Sequence, residues 1–347
     1  MGPLKPASGD QADAIMHAAR VLRSGGLVAF PTETVYGLGA DAENVDAVGR
    51  IFAVKGRPST HPLIVHISAA EQLQIWAEGV PKPARILAER FWPGPLTLVL
   101  QRSTRVPLAV TGGLQTVALR VPDHPLALAL LQAFGGGVAA PSANRFGSVS
   151  PTSARHVREE LGIFPRTAVD VVLDGGPCKI GVESTIVDCT GERVAILRPG
   201  GVTREDLESA LGYSIPLGPA GFVRAPGQHP SHYAPLAKVI LVDPEELGGE
   251  ARRLHILGCR VGALIPRPFE HAVMDGHVAL MVPEAMTAYA QELYDLLREF
   301  DRRGCDVIVA SLPAQEGLGV AIADRLRRAA GSQGLHEPAG ARRRHAP

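Results

Sequence analysis

The stretch VAFPTETVYGLGADA (residues 28–42) places an apolar, strand-like run before a glycine-rich segment, which resembles the start of a dinucleotide-binding fold. In such a fold the glycines follow the strand at once, and an acidic residue about 20 positions later binds the ribose. Here PTET (31–34) separates the strand from the glycines, and residues 47–70 contain no Asp or Glu. The stretch therefore argues against NAD binding, and Gly37 and Gly39 are interpreted as turn residues.

The composition is that of an ordinary globular protein with room for a large core. The chain has 347 residues, of which 46% are hydrophobic and 20% charged, and this length favours about two domains. Its 35 Lys and Arg residues balance 35 Asp and Glu residues, so the formal net charge is zero. Whole-chain charge therefore does not indicate a non-specific nucleic-acid binder, and any basic site must be local.

The cysteines and the hydropathy indicate a cytoplasmic protein. Cys178, Cys189, Cys259 and Cys305 form no C-x-x-C pair, so we interpret them as reduced thiols. No apolar run reaches the roughly 20 residues that span a bilayer. The N-terminal 20 residues contain no apolar segment typical of a signal peptide, so we expect no membrane contact.

The N-terminal part of the chain alternates helix-like and strand-like segments. Residues 11–23 and 44–54 have helical apolar spacing. Strand-like segments lie at 27–30, 62–67, 96–100, 116–122, 136–142, 169–176 and 184–190. This pattern predicts an α/β fold with a twisted mixed sheet and packed helices, over a first domain at residues 1–211.

A change in amino-acid composition separates this domain from a second one. Residues 212–236 are rich in Gly and Pro without sustained periodicity, and we interpret them as an interdomain linker. Residues 237–331 then predict a smaller Rossmann-like α/β domain, with strands at 237–243, 260–266, 277–283 and 305–313 and helices at 284–303 and 318–330. The polar tail, residues 332–347, is expected to be disordered.

A cation-rich loop is the first candidate functional segment. KGRPSTHPLIVH (55–66) places Lys55 and Arg57 two residues apart in a Gly- and Pro-containing loop that leads into a strand. Arg supplies a planar fork and Lys a compact charge, so the two together suit a triphosphate. Ordinary solvated surface charges are the alternative.

A hydroxyl-rich segment follows a later strand. APSANRFGSVSPTSARHV (140–157) offers hydroxyl groups, an amide and turn N–H groups that can hold phosphate oxygens or a substrate carboxylate. Alternatively, Thr152 or Ser153 caps the helix that begins with ARHVREEL. Both interpretations can hold together.

Three further polar positions lie at or inside strands. GVESTIVD (181–188) places Glu183 and Ser184 at the start of a strand, and Arg198 lies at the end of another. Arg120 lies between apolar neighbours, and a buried Arg must be paired. Its partner is either a substrate carboxylate or a nearby acidic side chain.

Several familiar catalytic motifs are missing from the chain. It contains no G-x-x-x-x-G-K-[ST], no G-x-S-x-G and no H-E-x-x-H. The residues therefore indicate a nucleotide-using enzyme with a cation-lined, hydroxyl-rich cleft and no covalent nucleophile, without naming its reaction.

Six segments, in order, resemble the motifs of the YrdC-like family in its longer form with an additional C-terminal domain. They are FPTETVYGLGADA, KGRPSTHPLIVHI, FWPGPLTLVL, PSANRFGSVSPT, ESTIVD and LRPG. The resemblance covers residues 28–236 and implies a nucleotidyltransferase. Its substrates would be L-threonine, bicarbonate or carbon dioxide, and ATP; its products would be L-threonylcarbamoyladenylate and pyrophosphate. The product would feed threonylcarbamoyladenosine formation in tRNA, with the transfer performed by a second enzyme complex.

The resemblance also assigns residues to each substrate. It places L-threonine against Thr34, His66, Arg120, Ser142 and Ser184. It places ATP against Lys55, Arg57, Thr60, His61, Asn144, Ser150, Thr152, Arg198, His232 and Tyr233. It implies direct catalytic roles for Lys55, Arg57, Ser142 and Asn144.

Other implied features concern the surroundings of the site. His232 and Tyr233 would fold over it as a lid, and Thr32 and Tyr36 would shape its threonine wall. Gln228 departs from the hydrophobic residue expected in the linker. Mg²⁺ would arrive with ATP, with no dedicated protein metal site and no organic cofactor. Contact with the transfer complex and direct tRNA binding are left open.

Two rival functions have discriminating features. A double-stranded RNA-binding module without turnover would use Lys55 and Arg57 for salt-sensitive binding. A carbamoyltransferase of hydrogenase maturation also contains a YrdC-like domain, but it needs zinc-type Cys pairs that this sequence lacks.

Overall fold

The computed structural model describes residues 9–162, 169–218, 233–267, 269 and 277–331, which form two sheets with packed helices. The strands are β1 (Val28–Phe30), β2 (Gly37–Asp41), β3 (Ile64–His66), β4 (Ala77–Glu78), β5 (Leu96–Arg102), β6 (Thr116–Arg120), β7 (Val138–Ala139), β8 (Val171–Val172), β9 (Thr185–Asp188), β10 (Ala195–Arg198), β11 (Lys238–Leu241), β12 (Val261–Ile265), β13 (Val278–Met281) and β14 (Val307–Ala310). The helices are α1 (Gly9–Arg23), α2 (Val45–Lys55), α3 (Leu73–Trp76), α4 (Lys82–Phe91), α5 (Leu108–Thr111), α6 (Pro125–Phe134), α7 (Ala154–Leu161), α8 (Arg204–Leu211), α9 (Leu247–Ile256), α10 (Met286–Arg302) and α11 (Leu318–Ala330).

The first sheet is mixed, as the sequence predicts. Its strand order among the described residues is β10-β9-β5-β6-β3-β7-β2-β1-β8, with β4 paired to β5. Strands β3 and β6 are parallel neighbours, whereas β1 and β2 are antiparallel. The mixed twisted sheet with helices is therefore confirmed.

The interpretation of Gly37 and Gly39 as turn residues is wrong. Both lie in β2, where they pair with Phe30 and Val28 of β1. The physical reason is close packing, because a Cβ atom added to Gly39 would lie only 2.6 Å from a methyl carbon of Val138. Glycine serves here for close approach inside a sheet.

Local signals define α2, the helix that leads into the cation-rich loop. The Asn44 side chain caps its first turn by accepting a hydrogen bond from the backbone N–H of Ala47. Gly56, with φ of 62°, ends the helix in the left-handed conformation. The turn at Gly56 places Lys55 and Arg57 beside the ends of the central strands.

The second sheet is smaller and fully parallel. Its order is β11-β14-β12-β13 among the described residues, and α9, α10 and α11 pack against it. This arrangement confirms the predicted Rossmann-like C-terminal unit. Helix α11 has the predicted bounds, Leu318–Ala330, and α10 begins and ends within two residues of its prediction.

The two units share a packed boundary. Val35, Val149 and Val182 of the first unit belong to the same apolar cluster as Leu293 and Ile322 of the second. Apolar contact across the boundary means that the units bury surface against each other rather than lying apart.

Only part of the predicted linker is described. Residues 212–218 pack on the first sheet, because Ile215 is fully buried and the Pro216 carbonyl accepts a hydrogen bond from Ile196. Residues 219–232, which include Gln228 and His232, lie outside the described residues, as does the tail at 332–347. Within the described ranges, no helix combines the length and the apolar character needed to cross a bilayer.

Candidate active site

A cleft lies where the segments after β1 and β7, the loop before β3 and the ends of β3 and β6 meet the segments around β9 and β10. Its polar lining consists of Thr32, Thr34, Arg57, His66, Arg120, Ser142, Glu183, Ser184, Arg198 and Tyr233. Val35, Leu63, Ile64 and Ala140 supply apolar wall. A concave site with a few converging charged groups is the usual form of a small-molecule pocket.

Sheet register brings His66 and Arg120 together. They are direct partners at the ends of the parallel strands β3 and β6, so both side chains leave the same face of the sheet at the same edge. The carboxyl ends of parallel strands are the usual position for ligands in α/β folds.

Arg120 is paired with an acidic side chain of its own domain. Its Nη2 lies 2.7 Å from Glu33 Oε1, and both side chains are only 4% exposed. The other Glu33 oxygen accepts the backbone N–H of Asp123. The close Arg120–Glu33 contact lacks hydrogen-bond alignment, so neither atom makes a hydrogen bond to any described residue. Arg120 is therefore neutralised by Glu33 and still lines the cleft.

His66 is neutral at physiological pH. Burial, and then the charge of Arg120, lower the pKa of its imidazole from 6.5 to about 3. Its Nδ1 is buried and has no hydrogen-bond partner among the described residues. A neutral imidazole with a vacant ring nitrogen can donate to or accept from a ligand.

The PTET segment forms a hydroxyl-organised turn at the cleft. The Thr32 hydroxyl donates to the Val35 carbonyl at 2.6 Å and accepts the backbone N–H groups of Thr34 and Val35. The Thr34 hydroxyl lies 2.8 Å from that of Thr32. This turn fixes the Thr34 side chain in the cleft wall.

Arg57 is held at the cleft by its own loop. Its Nη2 donates to the Pro62 carbonyl at 3.0 Å, and its guanidinium lies 5.7 Å from the centre of the Phe146 ring. Its buried Nε makes no hydrogen bond within the described part of the chain. Burial first, and also the charge of Arg198, lower the pKa of Arg57 to about 10, so it remains a cation at neutral pH.

Lys55 does not line the cleft. Its ammonium donates to the Ser142 carbonyl at 2.5 Å and also to the carbonyl of Asn144. Burial, followed by the Arg57 charge, holds the pKa of Lys55 well below its usual range. In this arrangement Lys55 anchors the backbone that carries Ser142.

The hydroxyl-rich segment splits into two groups. Ser142 lines the cleft beside Gly37, with which it forms an isolated bridge. The buried Asn144 amide donates to the carbonyls of Arg145 and Ser148, so it shapes the loop from within. Ser153, rather than Thr152, caps α7 by accepting the His156 N–H.

Arg198 and Ser184 form a compact pair on the opposite segments. Arg198 Nη2 donates to the Ser184 carbonyl at 2.8 Å and to its hydroxyl at 3.2 Å. The Ser184 hydroxyl also lies 2.8 Å from that of Thr97. Burial lowers the pKa of Arg198, and its Nη1 lies 3.5 Å from the Tyr233 hydroxyl.

The structure brings together most, but not all, of the predicted site residues. Those at the cleft are Thr34, Arg57, His66, Arg120, Ser142, Ser184, Arg198 and Tyr233. Those away from its lining are Lys55, Thr60, His61, Asn144, Ser150 and Thr152. His232 lies outside the described residues. Roles for all of these side chains remain predictions.

The residues away from the lining have other contacts. Thr60 is exposed, and the His61 ring lies 5.3 Å from that of Phe146. The Ser150 hydroxyl donates to Glu183 at 2.6 Å. The Thr152 hydroxyl lies 3.3 Å from a His156 ring nitrogen.

Glu183 is a lining residue to which sequence reasoning gave no role. Its neighbours come from distant parts of the chain, including Tyr294 and Arg325. The only sequence signal was its position beside Ser184 at the start of β9, which does not identify partners more than 100 positions away.

The cleft offers no ready set of carboxylate ligands for a divalent cation. Glu33 is held by Arg120, and Glu183 is held by Arg325. No group of three His, Cys, Asp or Glu side chains suited to a metal occurs in the described ranges. The donors present do not fit a resident Mg²⁺ ion.

Lys55 and Arg57 are too buried to form a nucleic-acid-binding surface. Lys55 is 3% exposed and Arg57 is 7% exposed. Duplex phosphates need cations on an accessible face. The rival RNA-binding module that would use Lys55 and Arg57 is therefore not favoured.

Fold and cleft together define a two-unit α/β protein whose N-terminal sheet presents buried arginines and hydroxyls at a cleft. The chain belongs to the Sua5–YciO–YrdC family, described as telomere recombination, whose family model matches residues 20–200. Residues 202–331 match the model described as the threonylcarbamoyl-AMP synthase C-terminal domain.

Named relatives resemble the chain over most of its length. Threonylcarbamoyl-AMP synthase of Pyrococcus abyssi (strain GE5 / Orsay) is 44% identical, covering 90% of this chain and 93% of the relative. The Bacillus subtilis (strain 168) protein of the same name is 42% identical, covering 92% and 93%.

A solved structure extends the likeness to three dimensions. The crystal structure of P. abyssi Sua5 complexed with L-threonine has a TM-score of 0.85 and 43% identity, covering 91% of this chain and 94% of that one. The arrangement of both units is therefore shared with a protein that binds L-threonine.

Proposed function

We infer that the chain is a threonylcarbamoyl-AMP synthase, a nucleotidyltransferase that makes threonylcarbamoyl-AMP and pyrophosphate from L-threonine, bicarbonate or carbon dioxide, and ATP. Two relatives over 40% identical along nearly the whole chain bear that name. The observation that carries the inference is the convergence of Arg57, His66 and Arg120 at the cleft, where Arg57 Nε and His66 Nδ1 are buried without hydrogen bonds to described residues. Buried donors left vacant in a protein are normally satisfied by a ligand or water.

The amino acid is proposed to lie on the His66 and Arg120 side. The guanidinium of Arg120, which is ion-paired with Glu33 but still lines the cleft, suits the threonine carboxylate, because charge-assisted hydrogen bonds are strong in a dry site. Thr34, Ser142 and Ser184 offer hydroxyl groups for the amine and the side-chain hydroxyl of threonine. Neutral His66 adds a partner without adding charge.

The triphosphate is proposed to lie on the Arg57 side. Arg57 and Arg198 repel each other across the cleft, and an anion between them would relieve this repulsion. Thr60 and His61 lie on the same loop as Arg57 and are proposed to close over the phosphates. The adenosine part would meet Arg198, Tyr233 and His232, with the last two acting as the lid.

Four predicted residues are proposed to act by supporting this arrangement. Lys55 holds the carbonyls of Ser142 and Asn144, and Asn144 holds its own loop closed. Ser150 fixes Glu183, and Thr152 contacts His156. A direct phosphate contact by Lys55 would require its ammonium to leave these carbonyls.

The proposed chemistry has two steps. The neutral amine of threonine attacks carbon dioxide, forming an N–C bond and losing a proton, to give a carbamate. A carbamate oxygen then attacks the α-phosphorus of ATP, and the bond to pyrophosphate breaks. Positioning and charge neutralisation by Arg57, Arg120 and Arg198 would supply most of the acceleration. A closed lid would keep water from the carbamate and the adenylate.

Cofactors and partners follow from this scheme. Mg²⁺ is proposed to enter as part of the ATP substrate complex, since the cleft carboxylates are already paired. No organic cofactor is proposed. The product would pass to a threonylcarbamoyl-transfer complex that modifies tRNA in the cytoplasm, and whether this chain contacts that complex or tRNA is a separate question.

Pyrophosphate release tests the proposed function directly. The purified full chain is expected to release pyrophosphate from ATP only when L-threonine and bicarbonate are both present, and less with L-serine. The adenylate product is identified by mass spectrometry. Release that is independent of threonine would contradict the assignment.

An Arg57→Ala variant tests the phosphate side. Removing a charged donor from a developing phosphate charge is expected to lower kcat/KM by about 10²- to 10³-fold. The melting temperature is expected to change little, because the Arg57 side chain makes one hydrogen bond within the described residues, to the Pro62 carbonyl. Exposed Arg90→Ala is the matched control. Unchanged turnover in Arg57→Ala would refute its role.

A further inference from the structure

The wall of the cleft at Glu183 is held from the C-terminal unit. The Glu183 carboxylate accepts hydrogen bonds from the Ser150 hydroxyl at 2.6 Å, the Tyr294 hydroxyl at 2.9 Å and Arg325 Nε at 2.6 Å. Burial alone would raise its pKa, but the charges of Arg325 and Arg198 outweigh burial and lower the pKa to about 2. Glu183 is thus an ionised and fully engaged anchor.

Arg325 links that anchor to the neighbouring segment of the same wall. Its side chain is fully buried, and its Nη2 donates to the Pro199 carbonyl at 3.0 Å. Its guanidinium also lies 4.9 Å from the centre of the Tyr233 ring. Since Glu183 precedes Ser184 and Pro199 follows Arg198, one guanidinium joins the two segments that carry these cleft residues.

One polar face of α10 completes the contact between the units. Four side chains, spaced so that they share a helix face, reach the N-terminal unit. The contacts are Gln291 Nε2 to the Cys178 carbonyl at 3.3 Å, Tyr294 to Glu183, Asp295 Oδ1 to His156 Nε2 at 3.0 Å, and Arg298 Nη2 to Glu160 Oε2 at 2.7 Å.

Gly181 allows this helix face to approach the backbone just before Glu183. It has φ of +83°, and a Cβ atom added there would lie 2.6 Å from the Gln291 carbonyl oxygen. Helix α10 therefore rests on the main chain two residues from the anchor. The docking is direct and leaves no gap for a side chain at position 181.

We propose that Arg325, assisted by Tyr294, is a positioning residue through which the C-terminal unit sets the spacing of Ser184 and Arg198 and seats Tyr233 at the cleft. The inference rests on the proposed function for the identity of the ligands, and its test is chosen to separate the two. Arg325 itself is not among the residues that line the cleft.

The chemistry of the contact predicts which substitutions matter. Arg325→Met leaves Glu183 buried without its cation and frees the Pro199 segment. Arg325→Lys keeps a charge but loses the planar fork, so it cannot hold Glu183 and Pro199 together in the same way. Tyr294→Phe removes one hydroxyl from Glu183 without changing charge.

The experiment measures kcat, both KM values and the melting temperature for Arg325→Met, Arg325→Lys and Tyr294→Phe in the full chain. Arg325→Met is expected to raise the KM for L-threonine and for ATP and to lower kcat/KM by about a hundredfold, as misplacement of cleft groups does. Arg325→Lys is expected to have a melting temperature close to that of wild type while its KM values stay raised. Simple loss of folded protein would lower apparent kcat and leave KM unchanged.

Matched control variants remove an arginine or a tyrosine hydroxyl that lies outside the contact with Glu183. Arg327→Met changes an exposed arginine two residues after Arg325 on α11. Tyr289→Phe removes a hydroxyl from α10, and this hydroxyl is not among the described hydrogen-bond donors to Glu183. Both are expected to keep wild-type KM values. If Arg325→Met does not fold, Arg325→Lys and Tyr294→Phe carry the test.

Calorimetric binding of ATP alone and of L-threonine alone separates the possible failures. Wild-type KM values and affinities in folded Arg325→Met and Tyr294→Phe would overturn the positioning role and leave the proposed function standing. Wild-type protein that binds ATP without turnover would remove the proposed function, while weakened ATP binding in Arg325→Met would still support positioning. Wild-type protein that binds neither compound would overturn both.

Discussion

Two buried carboxylate–arginine pairs adjoin the same cleft and differ in how completely they are satisfied. Glu33 and Arg120 lie within one unit, and their closest atoms make no aligned hydrogen bond. Glu183 and Arg325 join the two units, and Glu183 is saturated by further donors. Burial alone therefore does not identify a ligand-binding arginine. Arg120 is the better candidate of the two because it lines the cleft and its Nη2 makes no aligned hydrogen bond, and an incompletely satisfied buried group is costly.

The largest effect is expected from breaking the incompletely satisfied pair. Arg120→Met leaves the Glu33 charge buried and unpaired, which is expected to lower the free energy of unfolding by about 3–5 kcal/mol. It also removes the proposed carboxylate donor, so pyrophosphate release should be lost. Urea unfolding and the pyrophosphate assay measure the two effects separately.

A double variant separates stability from function at this pair. Arg120→Met with Glu33→Gln removes both charges and is expected to recover most of the stability, because no buried charge is left alone. Pyrophosphate release should stay absent. A double variant with wild-type turnover would show that Arg120 serves only to neutralise Glu33.

The pH dependence of stability should distinguish the Arg120 side of the cleft, where His66 lies, from the Glu183 side. The pKa of His66 is about 3 in the folded chain and 6.5 when unfolded, so the unfolded chain binds more protons between these values and stability falls as pH drops through this window. Between pH 7.5 and pH 5, His66→Gln is expected to lose about 2 kcal/mol less unfolding free energy than wild type.

The contribution of Glu183 to stability should change only at lower pH. Its pKa falls from 4.5 to about 2 on folding, so its contribution is present above pH 4.5 and is lost as pH falls toward 2. Urea titrations at half-unit pH intervals measure both windows. Equal pH slopes for wild type and His66→Gln above pH 5 would contradict the His66 assignment.

The smallest effect is expected at the exposed edge of the contact between the units. Asp295 is 45% exposed where it meets His156, so Asp295→Asn is expected to cost at most about 1 kcal/mol and leave KM unchanged. Exposed Glu292→Gln on the same helix is the control. Melting temperature and KM are the measurements, and a KM shift as large as that of Arg325→Met would contradict this ranking.

Sequence reasoning succeeded where periodicity is strong and local. The bounds of α11 and, to within two residues, those of α10 follow from spacing alone, because each helix buries one stripe. The cleft residues Arg57, Ser142 and Arg198 could be selected as a cation in a loop, a hydroxyl after a strand and a cation at a strand end. Glycines in β2 were misassigned, because close packing against Val138 is not visible in a linear pattern.

Partners across long sequence separations could not be predicted. Arg120 had two possible partners in the sequence, and only the fold shows that Glu33 lies against it. The polar face of α10 looks like a solvent-facing helix surface until Cys178 and Glu183 are placed beside it. Sequence therefore indicated which groups could bind ligands and left open which were already occupied.

The close seating of α10 on Gly181 constrains how this enzyme could be rebuilt from the parts of its relatives. A C-terminal unit transplanted from another member would have to supply its own hydrogen-bond donors for Glu183. Its equivalent of α10 would also have to pack directly against the backbone at Gly181. Chimeras joined at the linker would otherwise carry two intact halves and a misaligned pocket. In such chimeras the two domains are therefore best exchanged together.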